Sequence, residues 1–185
     1  MITRRLSTGE QILIFDSVFP ATKVVEHEVY ANKCNYSLIH ITDPFINSRP
    51  YTRFFGSVID DAGLNEFNIL QQLPDQIKVL LKNKRKERSW ILSGNHSTQY
   101  SYHVDSNSNN SFTLLIYLNS LWHPEWGGET LFCNIYGEPE IAVAQKANRV
   151  VIFPADLNHK PSQITVDAPY RFTFTATFTD GNNDV

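Results

Sequence analysis

The sequence predicts a mostly β chain, an antiparallel jelly roll with helices packed on one sheet, and three patterns carry that expectation. Beyond Trp90, seven short runs rich in β-branched and aromatic residues follow one another, separated by polar, Gly or Pro segments. Before Trp90, apolar residues recur at helical spacing. In the last run Phe172, Phe174, Ala176 and Phe178 alternate with Arg171, Thr173, Thr175, Thr177 and Thr179. Such alternation gives a strand one apolar face, suited to pack on helices, and one polar face. A polar face inside a barrel signals a ligand. The 185 residues fit a single domain over 1–185, with the jelly roll over about 90–180.

In order along the chain, residues 11–19 (QILIFDSVF) read as a short strand ended by a turn at Pro20. Residues 21–33 carry Val24, Val25, Val29 and Tyr30 at helical spacing. Residues 43–56 hold Pro44, Pro50 and Gly56 and read as irregular. A helical stretch is expected over about 64–87, because Leu64, Phe67, Leu70, Leu73, Ile77, Leu80 and Leu81 recur at three and four residues, with Pro74 breaking it in two. Its end is basic: Lys82, Lys84, Arg85, Lys86 and Arg88. At a helix C-terminus such residues complement the dipole, and the alternative is a basic patch that docks substrate or nucleic acid. The β runs that follow are 97–105, 112–119, 129–134, 141–145, 149–153, 160–166 and 171–179.

Composition excludes several classes. Aromatic residues make up 12% of the chain, which rules out wholesale disorder. The net charge of −3 argues against a dedicated nucleic-acid binder. Cys34 and Cys133 are too few for a disulfide framework or a four-cysteine zinc site, and read as two small core residues. Residues 1–10 are polar and the apolar run 12–15 is too short for a signal peptide or membrane span, so the expectation is a soluble, cytoplasmic protein with no membrane partner.

The chemistry gathers in the β half. His103-Val104-Asp105 is expected on a strand, where residues i and i+2 share a face and can converge on one ion. His159 follows fifty-four residues after Asp105. Two His and one carboxylate form a facial triad with open positions, the arrangement of non-haem Fe(II) oxygenases. Twelve residues further on, Arg171 shares a strand face with Thr173, offering a guanidinium fork and a hydroxyl to a carboxylate. Gly127-Gly128, within Trp126-Gly-Gly-Glu-Thr130, permit a tight entry into a strand. His123 and Glu125 lie in the turn His123-Pro-Glu-Trp-Gly-Gly, which reads as an exposed loop, with a second metal site the alternative. Trp122 and Trp126 flank that turn and either pack plainly or border a substrate entrance. The polar loop 106–111 follows the metal strand and is a candidate substrate contact.

On these residues the sequence resembles the 2-oxoglutarate and Fe(II)-dependent dioxygenases, most closely their prolyl 4-hydroxylase-like branch. The resemblance rests on Tyr100-Ser-Tyr-His103-Val-Asp105, Leu115-Ile-Tyr117-Leu-Asn119, Trp126-Gly-Gly-Glu-Thr130, Arg149-Val-Val-Ile-Phe153-Pro154, His159 and Arg171-Phe-Thr173. It covers about residues 90–180, and Ile12-Leu-Ile-Phe-Asp16 looks like the family's opening strand. The fold it implies is a double-stranded β-helix of the cupin-like kind. It implies that His103, Asp105 and His159 bind Fe(II), that Arg171 holds the distal carboxylate of 2-oxoglutarate with Thr173 assisting, and that Tyr117 and Tyr100 line or brace that pocket. The cofactors implied are Fe(II), 2-oxoglutarate as cosubstrate and O2, with ascorbate a further candidate. The sequence departs from the family in holding no Tyr near Ser93, in carrying Arg171 where many prolyl 4-hydroxylases use Lys, and in a slightly longer gap from His159 to Arg171.

The activity implied is hydroxylation of a C–H bond, foremost in a peptidyl proline, coupled to decarboxylation of 2-oxoglutarate to succinate and CO2. The alternatives are the same chemistry on another amino acid, a small metabolite or a nucleobase, and a non-catalytic jelly-roll module with a structural metal or none. The expected partner is thus a peptide, protein or small-molecule substrate, and not a nucleic acid.

Overall fold

Hydrophobic alternation, read across all the strands, divides this chain into two apolar clusters on opposite faces of one large sheet. The computed structural model describes residues 1–41, 52–134 and 136–181. Its strands are β1 (Ile2–Arg5), β2 (Gln11–Asp16), β3 (Ser37–Ile41), β4 (Thr52–Val58), β5 (Lys84–Gly94), β6 (Ser111–Tyr117), β7 (Thr130–Cys133), β8 (Pro139–Val143), β9 (Arg149–Pro154), β10 (His159–Pro161) and β11 (Arg171–Asp180). Its helices are α1 (Ala21–Lys33), α2 (Asp61–Phe67) and α3 (Asp75–Leu81), with a single 3-10 turn at Pro124–Trp126. Eight strands form the large sheet in the order β1-β2-β9-β6-β11-β5-β4-β3, and three form the small one in the order β10-β7-β8. All the pairings are antiparallel.

On one face of the large sheet, Phe172, Phe174, Ala176 and Phe178 pack with Leu114, Ile116, Val150 and Ile152 against Val24 and Ala31 of α1, Leu64 and Phe67 of α2, and Ile77 of α3. The apolar half of β11 therefore meets helices, as its alternation predicts. On the other face Ile12, Ile14, Leu115, Tyr117, Val151 and Phe153 pack against Phe132 and Val143 of the small sheet. With both faces covered the strands β9, β6 and β11 of the sheet's middle are buried over most of their length, and burying this apolar surface is the main source of stability. No helix among the described residues is long and apolar enough to cross a membrane.

Helix α1 spans the residues its periodicity predicts, with Pro20 ahead of its first turn. The stretch 64–87 does not hold as helix throughout. Asn68, at φ 52°, ends α2 and returns its N–H to Leu64 O. Pro74 opens α3, and Asn83, at φ 64°, reverses the chain after it. The basic run that follows is not a helix end: Lys84 to Arg88 form the start of β5, paired with β11. The alternation Lys84, Lys86, Arg88 is a strand period, and helix spacing in the preceding leucines hid it.

Other boundaries also moved. Residues 97–105 are not a regular strand. The Asn95 side chain accepts hydrogen bonds from the Ser97 N–H and hydroxyl, coiling the chain there, and Gln99 and His103 make isolated bridges, that of His103 to His159. Strand β2 stops at Asp16, before Ser17 at φ 55°. The segment expected to be irregular includes the first part of β4, residues 52–56, while residues 43–51 lie outside the described residues. The final part of 160–166 is not strand but holds a bridge from Ile164 to Gly127. Strand β1 has all four residues exposed, so it carried no alternation to read.

Candidate functional site

Two main-chain hydrogen bonds between His103 and His159, at 3.0 and 2.9 Å, place the two imidazoles side by side with ring centres 4.5 Å apart. The Asp105 carboxylate stands against both. Its Oδ1 is 4.0 Å from His103 Nε2 and its Oδ2 is 3.5 Å from His159 Nε2. The three donor atoms lie within 4.8 Å of one another, and this is the only such group of three or more His, Cys, Asp or Glu side chains among the described residues. The main chain holds the segment in place, because the N–H groups of Asp105 and Ser106 both donate to Ala155 O.

The chemistry of this donor set fits a divalent ion. His103 Nδ1 lies 3.0 Å from Ser101 O, and His159 Nδ1 lies 2.9 Å from Leu157 O. A carbonyl can only accept, so each Nδ1 carries the proton and each Nε2 presents a lone pair toward the carboxylate. Burial pushes the His159 imidazole down to about 4 despite the opposing Asp105 charge, so the ring is neutral, as a ligand must be. Burial works to raise the Asp105 carboxyl, but the charge that His159 and His103 carry when protonated, the Thr113 hydrogen bond and Arg88 hold it below the usual carboxylate range. Thr113 Oγ1 donates to Asp105 Oδ2 at 2.6 Å.

The cosubstrate candidates stand on the same face of the large sheet. Register puts Tyr117 beside Thr173, and Thr173 beside Leu92, in one cross-strand row, with Arg171 opposite Gly94 at the end. Arg171 is buried at 4% exposure, which excludes a surface salt bridge. Its Nε donates to Gly128 O at 3.0 Å. Its Nη2 and the Thr173 hydroxyl, fully buried, have no hydrogen-bond partner among the described residues. Two orphaned donors on one strand face are costly unless an acceptor joins them. A carboxylate supplies what both lack, so the residues fit a bound dicarboxylate.

Tyr117 closes this end differently from Tyr100. Its ring lies 5.4 Å from the Arg171 guanidinium carbon, while its hydroxyl is 2.7 Å from Thr130 Oγ1 and donates to Val143 O at 3.2 Å. It is a wall of the site whose polar tip is already bonded. Tyr100 lines a cavity with His103, Arg171, Leu92, Ser93, Gly94 and Pro161. A Cβ on Gly94 would collide with the Tyr100 hydroxyl, so the glycine makes room for that phenol. Burial raises both phenols, with Arg171 opposing.

Several residues play parts that the sequence reading did not give them. Gly128, at φ +79°, packs on Arg171, and a Cβ there would meet Arg171 Cδ at 3.2 Å and Trp122 at 3.3 Å. The paired glycines thus bring a carbonyl to the guanidinium, besides shaping a turn. Trp122 is buried and its indole N–H donates to Gly127 O at 2.9 Å, which assigns it to packing behind that turn. Trp126 stacks edge-on against it at 5.4 Å. His123 and Glu125 are exposed, and the Glu125 N–H donates to His123 Nδ1, so they form a turn and no second metal site. Thr113 carried no signal of its own beyond its place in the β run 112–119. Arg88 was visible only as the last member of the basic run.

Residues 89–179, which hold the triad, Arg171 and Thr173, match the family model described as the 2OG-Fe(II) oxygenase superfamily. Over this span, just under half of the chain, the sequence is similar to that superfamily, and the match supports an enzyme of the 2-oxoglutarate-dependent dioxygenase type. Solved structures share its fold at low identity. An oxidoreductase of the 2OG-Fe(II) oxygenase family from Burkholderia pseudomallei is similar at TM-score 0.69 and 13% identity, over 91% of this chain and 85% of that one. A prolyl-4-hydroxylase from Pseudomonas putida is similar at TM-score 0.65 and 14% identity, over 91% of each chain. HygX from Streptomyces hygroscopicus, solved with nickel, 2-oxoglutarate and hygromycin B, is similar at TM-score 0.62 and 11% identity, over 92% of this chain and 83% of that one. No curated protein sequence matches the chain.

Proposed function

We propose that this chain is a prolyl 4-hydroxylase-like enzyme that hydroxylates a peptidyl proline with Fe(II), O2 and 2-oxoglutarate. The observation that carries the cosubstrate is the pair of buried donors on Arg171 and Thr173, without partners among the described residues, on the large-sheet face whose Thr113 bonds the triad's Asp105. The bound iron, with 2-oxoglutarate and O2, supplies the oxidation of an unactivated C–H bond, one oxygen atom going to the product and one to succinate as CO2 leaves.

The chain's own residues do the rest. His103, Asp105 and His159 hold the ion through two neutral imidazoles and one carboxylate. Arg171 grips the distal carboxylate of the cosubstrate, the Thr173 hydroxyl adds a hydrogen bond, and the Gly128 carbonyl fixes the guanidinium by its Nε. Tyr117, Leu115, Phe132 and Phe153 form a dry wall between the two sheets that keeps bulk water from the site. Tyr100 lines the same cavity as His103 and Arg171.

The prolyl assignment is supported by the likeness to the Pseudomonas putida enzyme and by the Tyr100-x-x-His103-x-Asp105 pattern. A small-molecule substrate is the second reading, supported by the likeness to HygX with its bound hygromycin B. The deciding experiment starts with anaerobic binding of Fe(II) and 2-oxoglutarate. O2 is then admitted with a panel of prolyl peptides, with and without ascorbate, and succinate and hydroxyproline are measured. Succinate and hydroxyproline formed together, and lost in His103→Ala and Arg171→Ala, would support the proposal. Cosubstrate turnover stimulated by a small molecule and by no peptide would move it to the second reading.

A further inference from the structure

One charged side chain stands at the site with no role in the oxygenase reaction as described. Arg88 shares a cross-strand row with Thr177 and Thr113, and Asp105 sits over that row. Thr113 takes one oxygen of the Asp105 carboxylate. Arg88 approaches the other, its Nη2 3.6 Å from Oδ1, and the same Nη2 donates to the Asp105 main-chain carbonyl. Its Nε reaches the Thr177 hydroxyl at 3.4 Å. The Arg88 side chain remains 46% exposed, and its Nη1 has no partner among the described residues. The next row along the sheet carries Leu115, Thr175, Trp90 and Val58. Val58 is 65% exposed and Trp90 half-buried, so the guanidinium stands at the edge of a partly open apolar strip.

Charge decides what such a group is for. Asp105 is the one acid within ion-pair reach of Arg88 among the described residues, and it is also the anionic member of the triad. A divalent ion bound to that carboxylate takes up its charge, and the neutral imidazoles add none. The ion, Arg171 and Arg88 then outweigh Asp105 and a dicarboxylate cosubstrate by one positive charge. A monoanion brings the site to balance, and a planar guanidinium favours a carboxylate.

We propose that Arg88 binds a carboxylate of the primary substrate at the mouth of the site, with the apolar body of that substrate lying on Trp90 and Val58. The substrate class is then an acid, or a peptide with an acidic residue or free C-terminus beside the reacting carbon. The inference rests on the oxygenase assignment, and Mn(II) can stand in for Fe(II) to test it without turnover. The protein is loaded with Mn(II) and saturating 2-oxoglutarate, and benzoate and benzamide are titrated while the relaxation of their ring protons by the ion is followed. Benzoate is expected to bind about tenfold tighter than benzamide, in line with a hydrogen bond to a charged group. Arg88→Gln should erase that preference while still binding Mn(II) and 2-oxoglutarate, and Arg88→Lys should keep it. Equal binding of the two probes by the wild type, or an intact preference in Arg88→Gln, would overturn the proposal. So would an Arg88→Gln variant whose only defect is weaker Mn(II) binding, which would make Arg88 a brace for Asp105. Failure of the wild type to bind Mn(II) and 2-oxoglutarate shows before any probe is added, and would overturn the oxygenase reading and the proposal with it.

Discussion

One hydroxyl orients the anionic ligand of the triad: Thr113 fixes Asp105 Oδ2 at 2.6 Å from inside the large sheet. Thr113→Val removes that bond and keeps the shape. Loss of a partner behind a ligand weakens metal binding by roughly 10–100-fold, and titration with Co(II) should read a drop of that size with the fold intact. Arg171 is different in kind. With one nitrogen unpartnered and little exposure, it is a charge held ready for a ligand at a cost to stability. Arg171→Met should therefore bind 2-oxoglutarate at least 100-fold more weakly, given about 3–5 kcal/mol for breaking a buried pair. Its unfolding midpoint without ligand should not fall. Calorimetric titration and thermal melts check the two halves, and a large loss of intrinsic stability would show that the guanidinium is structural. The meeting of His103, Asp105 and His159 was legible through the order and spacing of the family's motifs and not through strand parity, since His103 and Asp105 lie in coil; parity holds for Arg171 and Thr173, which share β11. Thr113, Gly128 and Arg88 were not legible, because each reaches the site from another strand or turn through register that no local pattern encodes.

At the scale of elements, α1 and β11 follow from their own periodicity, whereas β5 does not. Its basic first half continues a leucine-rich helical spacing, and only the left-handed Asn83 and the pairing with β11 make it a strand. Tertiary pairing overrode local pattern there. A similar pairing ties the opening strand to the sheet. Asp16 on β2 lies opposite Arg149 on β9, which donates from Nε at 2.6 Å and from Nη2 at 3.0 Å, and Lys146 adds a third bond at 3.0 Å. The Arg149 hydrogen bond is the chief cause that brings the Asp16 carboxyl down to about 2 from an ordinary 3.8. A carboxyl lowered in the folded state stabilises the protein above its unfolded value and loses that contribution as the pH falls through the folded one. Acid titration of stability should therefore show a loss between about pH 4 and pH 2 that Asp16→Asn lacks, with the variant already weaker at neutral pH. Identical profiles for the two proteins would remove the pair from any role in stability.

Across the whole molecule the site lies on a seam. His159 belongs to the small sheet, His103 and Asp105 to the coil bridged to it, and Thr113, Arg171 and Thr173 to the large sheet. The two-sheet architecture was legible because β runs separated by turns admit few arrangements. The seam itself was not, because it depends on which strands face each other across the core. An ion held by the triad joins the coil to the small sheet, and a dicarboxylate held by Arg171 and Thr173 ties in the large one. Both bind only where the seam is closed, so both should stabilise the folded state by mass action. At a hundred times the dissociation constant the gain is about 2.7 kcal/mol for one ligand. For a chain of this size that raises the melting temperature by roughly 5–10 °C. Mn(II) followed by 2-oxoglutarate should give two successive increments, and a chelator should reverse them. His103→Ala should lose the first increment, and Arg171→Met should keep the first and lose the second. Should 2-oxoglutarate give its full increment in Arg171→Met, the dicarboxylate lies elsewhere, and the orphaned donors on β11 serve another acceptor.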